Sequence, residues 1–291
     1  MKRLVQSNIE IDCDNPRGGL NLSFDLNSTL PLQQSPTWET AGWALTFIHL
    51  NTHTQLELMD GRFMVKVIVG HLADPDRGCL GEPIKARSTR LQQAQIRTSD
   101  SPCLVALFEQ TPACPSNLTD IAQLAWSGPE AQALIWQRFD EKFAGLLDAF
   151  DGLDCYMGQG FHLLDADGTE IVYLNPWCCG KGVDLSTHNH GQRPRALAPA
   201  FAEVHLVLNN GTGNGGMYEI AEPGAEARLS HPLQVGEEHG PYFFLDSDGK
   251  PERRENGAVA YPWHGWCGGV DDHPAQAYDY VAAFEINPDY I

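Results

Sequence analysis

The sequence has few basic residues and no long apolar run. Its 19 Lys and Arg residues are outnumbered by 38 Asp and Glu residues, which gives a formal net charge of −19. Such a charge repels the phosphate backbone of nucleic acids and the surface of anionic membranes. No stretch reaches the roughly 18 consecutive apolar residues that a membrane-spanning helix needs. Neither nucleic acid nor a membrane is therefore expected as a partner.

The eight cysteines lack the spacing of a disulfide framework or a redox motif. None of them is arranged as C-x-x-C, and only Cys178 and Cys179 are adjacent. Neighbouring residues of a strand point to opposite faces, so this pair is interpreted as small buried hydrophobes. The first residues also lack the apolar run of a secretory signal. These features predict a cytoplasmic protein in a reducing compartment.

Apolar runs of strand length dominate the first part of the chain. GWALTFIHLN, GRFMVKVIVGHL and CLVALFEQ are rich in β-branched and aromatic residues, which favour strands. They predict an N-terminal β domain over residues 1–113. Because this region contains no H-x-H, a metal site is expected elsewhere.

The apolar spacing changes between residues 114 and 151. Ser127 and Glu130 form an S-x-x-E capping signal, and apolar residues then recur at steps of three or four. This pattern is typical of an amphipathic helix. It predicts a helical connector over 114–151. A second β domain is expected over 152–291, where turn signals such as Asp167-Gly168 separate short strands.

Two histidines and a glutamate lie on what we interpret as neighbouring strands of the second β domain. His188 and His190 are two residues apart and so point the same way. Glu203 and His205 share one face of the next strand, whose other face carries Val204, Leu206 and Leu208. Imidazole and carboxylate together suit Zn, Mn, Fe, Co or Ni better than Mg or Ca. The pattern predicts a divalent transition metal, with zinc as the first choice; the alternative is a set of ordinary, hydrogen-bonded core histidines.

This pattern resembles the first motif of the metal-binding cupins, in which a glycine, five residues and H-x-H precede a glutamate on the next strand. Gly182, His188 and His190 keep the leading spacing. Glu203 departs from the pattern, because twelve residues separate it from His190 where the family has three or four. The intervening GQRPRALAPA is interpreted as an inserted loop, since its two prolines disfavour regular structure.

The second cupin motif consists of a glycine turn, a proline and a last histidine. Gly257, Pro262 and His264 match it in NGAVAYPWHGW. The resemblance therefore implies His264 as the fourth metal ligand. His239, in GEEHGPYFF, is the alternative fourth ligand.

Within the cupins, the last 140 or so residues look most like the sugar-active members, among them cupin sugar isomerases and the cupin part of aldos-2-ulose dehydratase/isomerase. The resemblance implies a mainly β fold with a cupin double-stranded β-barrel, or jelly roll, in the C-terminal half. The N-terminal half is interpreted as a second β-sandwich, a degenerate cupin half without ligands.

The same resemblance implies an enzyme of carbohydrate metabolism that binds a small-molecule carbohydrate. The expected activity is that of a metal-dependent lyase or isomerase, a dehydratase or isomerase acting on a carbonyl sugar through a metal-stabilised enediolate. The candidates for proton transfer are His205, His239 and Tyr242. The alternatives are an Fe(II)-dependent cupin dioxygenase and a non-catalytic sugar-binding cupin. The sequence does not determine the oligomeric state, and a homodimer is one of the possibilities.

The H-x-H motif generates a prediction about metal content. Replacing both His188 and His190 by Ala is expected to abolish the binding of about one metal ion per chain while leaving most of the fold intact. Elemental analysis of the purified variant, beside its circular dichroism spectrum, checks this. Unchanged metal content would contradict the site.

Overall fold

The computed structural model describes residues 11–12, 20–40, 42–58, 61–73, 84–85, 88–92, 95–112, 137–138, 155–157, 160–180, 201–220, 227–239, 244, 246–248, 250, 252–253, 255, 260–268 and 278–290. Within these ranges the chain forms β-strands and a short 3₁₀ turn, Pro288–Tyr290. None of the described residues forms a helix with the length and apolarity that crossing a bilayer requires.

The strands are numbered in chain order. Those before residue 113 are β1 (Ile11–Asp12), β2 (Leu20–Phe24), β3 (Leu32–Thr40), β4 (Trp43–Leu50), β5 (Gln55–Glu57), β6 (Arg62–Val69), β7 (His71–Leu72), β8 (Ile84–Lys85), β9 (Ser88–Gln92), β10 (Gln95–Arg97) and β11 (Cys103–Gln110). Those after it are β12 (Gln137–Arg138), β13 (Cys155–Met157), β14 (Phe161–Asp165), β15 (Glu170–Gly180), β16 (Ala202–Asn210), β17 (Gly216–Ile220), β18 (Ala227–Pro232), β19 (Trp263–Cys267) and β20 (Tyr278–Ile286). The mainly β fold class is confirmed.

Two large sheets organise the part of the protein that the structure describes. The N-terminal sheet has the order β3-β4-β11-β6-β9 and is antiparallel throughout. In the other sheet, β20 lies between β15 and β16, while β14 and β13 pair with the opposite edge of β15. A smaller sheet of order β18-β17-β19 carries the last predicted metal ligand, His264.

Strand β2 pairs across the predicted domain boundary. It lies within residues 1–113 but runs parallel to β14, with Leu22 opposite Leu163. The C-terminal sheet therefore recruits at least one strand from the N-terminal region. The boundaries 1–113, 114–151 and 152–291 themselves stay a prediction.

The two large sheets pack face to face on one apolar core. Val204, Leu206 and Leu208 lie in it, which confirms the alternation predicted for this strand. Aromatic contacts join the sheets: the ring centroids of Phe108 and Phe284 are 6.5 Å apart. A second apolar cluster lies on the other face of the N-terminal sheet. The site-bearing sheet is thus fixed against the N-terminal half by hydrophobic burial.

One sequence expectation is wrong in detail. Gln137–Arg138 lies inside the predicted helical connector but pairs with β13 as an extended strand, because strand pairing overrides local spacing. The rest of 114–151 lies outside the described residues. The last strand, β20, lies inside its sheet, between β15 and β16, and all nine of its residues are buried.

The buried cysteines behave as small hydrophobes. Cys103 and Cys178 are buried, and Cys267 is half-buried. Burial raises the pKa of the Cys103 thiol to about 12, which keeps it protonated and unreactive near neutral pH.

The shared core predicts how the protein unfolds. Replacing Phe284 by Ala is expected to lower the free energy of unfolding by about 3–5 kcal/mol, since it leaves a cavity between the two sheets. The control is Phe244→Ala, because Phe244 is 48% exposed and its loss should cost under about 0.5 kcal/mol. Urea denaturation measures both, and separate transitions for the two halves would contradict a shared core.

Candidate functional site

Strand β16 presents two polar side chains on the face that does not join the shared core. Glu203 is 4% exposed and His205 is 6% exposed. Both alternate with the core residues Val204 and Leu206, so the pleat of the strand separates site from core. A carboxylate buried to this degree requires a proton, a cation or strong hydrogen-bond donors beside it.

His264 provides the closest of these contacts. Its Nε2 lies 2.9 Å from Glu203 Oε2, and its side chain is fully buried. Its Nδ1 lies 2.9 Å from the carbonyl oxygen of Pro262, which can only accept, so Nδ1 carries a hydrogen. In the neutral ring Nε2 then carries a lone pair, so its close contact with the carboxylate requires a proton or a metal ion between the two atoms. This tautomer, held by a backbone carbonyl, is the one that metal-binding histidines use.

His205 and His239 form a second buried contact. His239 Nε2 accepts the backbone N–H of His205 at 3.1 Å and lies 2.6 Å from His205 Nδ1. As His239 Nε2 is an acceptor, His205 Nδ1 donates to it. The Nε2 of His205 then faces Glu203 Oε1, 3.5 Å away. Two imidazole Nε2 atoms therefore converge on the two oxygens of one carboxylate.

Aromatic and amide side chains surround this group. The ring centroid of Trp177 lies 5.8 Å from that of His205 and 5.2 Å from that of Trp266. Asn175 shares the face of Glu203, because it pairs with Ala283, which pairs with His205. Trp266 Nε1 and Asn175 Oδ1 are buried without a hydrogen-bond partner among the described residues. Buried donors and acceptors of this kind suit a site that receives a polar ligand.

Glu285 is a site residue that the sequence analysis missed. It is 5% exposed and pairs directly with Glu203 across β16 and β20. Like charges that lie directly opposite each other on neighbouring strands repel, and a cation between them would relieve that repulsion. The signal was present in YDYVAAFEI, where a glutamate ends an otherwise apolar strand.

The structure brings together part of the predicted site. Glu203 and His264, two predicted ligands, are in contact, and His205 and His239, two predicted proton-transfer residues, adjoin them. The remaining site residues, His188, His190 and Tyr242, lie outside the described residues. Within the described ranges, no group of three or more His, Cys, Asp or Glu side chains is arranged to hold a metal ion. That part of the chain supplies two of the four predicted ligands.

The sequence matches a family model described as the aldos-2-ulose dehydratase/isomerase (AUDH) cupin domain, over residues 19–287. The chain belongs to the AUDH cupin family. The match includes strands of both halves, from β2 to β20. It also includes every residue of the candidate site.

One curated relative and two solved structures are similar to this AUDH-type cupin. Aldos-2-ulose dehydratase of Phanerodontia chrysosporium is 35% identical over 148 residues, which cover 47% of this chain and 16% of that protein. The chain thus spans a small part of the relative's length. An IolB-like protein from Salmonella typhimurium is 11% identical, with a TM-score of 0.34 and 88% and 95% of the two chains covered.

The other solved structure is a cupin 2 conserved barrel domain protein from Leptotrichia buccalis. It is 10% identical, with a TM-score of 0.26 and 88% and 89% of the two chains covered. Since both TM-scores are below 0.5, the cupin assignment rests on the family match and the observed strand pairing.

The tautomers predict which histidine binds metal. His264→Ala is expected to lose most of the bound metal, whereas His239→Ala should keep it, because the Nε2 of His239 is already engaged by His205. Elemental analysis after dialysis measures both, with the exposed His53→Ala as control. Loss of metal only in His239→Ala would reverse the assignment.

Proposed function

We propose that this AUDH-family cupin is a metal-dependent sugar lyase or isomerase, a dehydratase or isomerase that transfers a proton at the carbon beside the carbonyl of its substrate. The convergence of two imidazole Nε2 atoms on the buried Glu203 carboxylate carries the proposal. The family match supports the sugar class. A small carbohydrate is the proposed partner, in the cytoplasm.

The donor set fits a divalent transition metal. His188, His190, Glu203 and His264 would hold it, with zinc as the first choice and Mn, Fe, Ni or Co as alternatives. The Pro262 carbonyl fixes the His264 tautomer in advance, as partners of metal-ligating histidines do. When bound, the metal supplies a Lewis acid that makes the proton beside the substrate carbonyl more acidic.

His205 is the proposed acid and base. Its Nε2 faces the carboxylate, and its Nδ1–H donates to His239. An imidazole takes and returns protons near neutral pH. His239 stabilises the protonated ring, because its Nε2 keeps accepting the Nδ1 hydrogen while Nε2 of His205 holds the transferred proton. Tyr242 stays a further candidate for proton transfer.

The aromatic side chains beside His205 suit a sugar. Trp177 and Trp266 contact each other nearly at right angles, with 80° between the ring planes, and Trp177 also contacts the ring of His205. Aromatic rings cover the apolar faces of ligands, while the buried polar atoms of Asn175 and Trp266 match hydroxyl groups.

The role of His205 predicts a specific kinetic defect. His205→Gln is expected to lower kcat by roughly a hundredfold or more, the scale of a lost general acid or base, with metal content unchanged. The control is His49→Gln, which changes a buried histidine of the N-terminal sheet. Ketoses and aldosuloses assayed under nitrogen provide the measurement.

Isotope exchange tests the chemistry independently. Solvent deuterium is expected in the product at the carbon next to the carbonyl. Consumption of dioxygen by the iron-loaded protein without such exchange would assign it to the cupin dioxygenases instead. Metal binding with no turnover of any sugar would favour a sugar-binding cupin.

A further inference from the structure

A buried ion pair links the N-terminal sheet to the site-bearing half. Lys66 lies on β6 between Met64 and Ile68, on the face that joins the shared core. Its side chain is 0% exposed, and its Nζ lies 2.8 Å from Glu238 Oε2 and 3.1 Å from Oε1. Burial lowers the pKa of Lys66, and the charge of Glu238 opposes that shift. A fully buried lysine is rare unless it is paired.

Glu238 belongs to a segment that runs along β16. The backbone of Glu238 bridges to Leu206, and Val207 donates its N–H to the carbonyl of Glu237 at 3.0 Å. A turn precedes the bridge, in which Gly236 has a φ of 86°, a value that favours glycine. The segment is extended at the bridge, so Glu238 and His239 point to opposite sides. Glu238 meets Lys66 in the core, and His239 meets His205 in the site.

We propose that Lys66 is a positioning residue that sets His239 against His205 through the buried ion pair with Glu238, so that the N-terminal sheet completes the barrel site. This inference rests on the proposed function only for its effect on turnover. Its structural part, the placement of His239, stands on the described contacts.

A charged pair at this position fixes the register of the Glu238–His239 segment against β16. Two backbone hydrogen bonds and one bridge hold the segment to β16. A slip of one residue would turn His239 into the core and Glu238 into the site. An apolar side chain at either position would tolerate neighbouring registers, whereas a buried carboxylate has its ammonium partner in one register alone. Buried ion pairs contribute specificity of this kind more readily than net stability.

The test compares single and double variants of the full-length chain. Lys66→Met removes the ammonium at similar side-chain volume. Lys66→Met combined with Glu238→Gln removes both charges and so avoids a buried carboxylate without its cation. Arg62→Met is the control for losing a cation from the exposed end of β6, and Val67→Ala for losing stability from the opposite face of the same strand.

The expected result separates positioning from stability. Lys66→Met should lower both the unfolding midpoint and kcat. The double variant should regain most of the midpoint while kcat stays about tenfold to a hundredfold low with KM little changed, the effect of a displaced group. Val67→Ala should lower the midpoint alone. Recovery of kcat together with the midpoint in the double variant would overturn the inference.

A spectroscopic readout needs no turnover. In the wild-type protein, ¹⁵N-histidine NMR should show His239 with an unprotonated Nε2 and a downfield proton on His205 Nδ1. Both signatures should be lost in the double variant and kept in Arg62→Met. If both signatures persist in the double variant, the inference is overturned; if they are lost there, it is supported. Both outcomes can be read even if the protein turns over no sugar.

Discussion

The site depends on one constraint, the burial of the Glu203 carboxylate. A buried carboxylate must be compensated, and His264 and His205 approach its two oxygens. Each of these rings is oriented in turn, one by the Pro262 carbonyl and the other by His239. These two partners determine which nitrogen of each ring faces the carboxylate. The ring nitrogens that face it are those that can bind a cation or carry a proton.

The alternation of β16 couples this site to the rest of the protein. Each residue that faces the site has neighbours that face the core shared by the two sheets. The N-terminal half carries none of the predicted ligands, yet it buries the back of the strand that carries Glu203 and His205. Lys66 adds a second link between the N-terminal half and the site, since its partner Glu238 directly precedes His239 in the chain. The N-terminal half therefore supports the geometry of the site although it carries no predicted metal ligand.

Membership of the AUDH cupin family and the departure of this chain from the usual motif spacing are compatible. The inserted loop predicted between His190 and Glu203 lengthens the connection before β16. Within that strand, the observed alternation of Glu203 and His205 with the core residues Val204, Leu206 and Leu208 is the predicted one. The match covers only 16% of the relative from Phanerodontia chrysosporium. A sugar dehydratase or isomerase activity is therefore proposed for this chain and is not inferred from that longer enzyme alone.

Short-range order along the sequence determined the strands and their faces. Period-two alternation placed Glu203 and His205 together and Leu206 opposite them, because side-chain direction in a strand is a local property. The tertiary structure decided what local order does not contain: Glu285 opposite Glu203, β20 inside its sheet, β2 beside β14, and Lys66 against Glu238, 172 residues away. These pairings depend on which strands share a sheet and in what register. The hydrophobic core and long-range hydrogen bonds select that arrangement, and the spacing of residues along the chain carries no record of it.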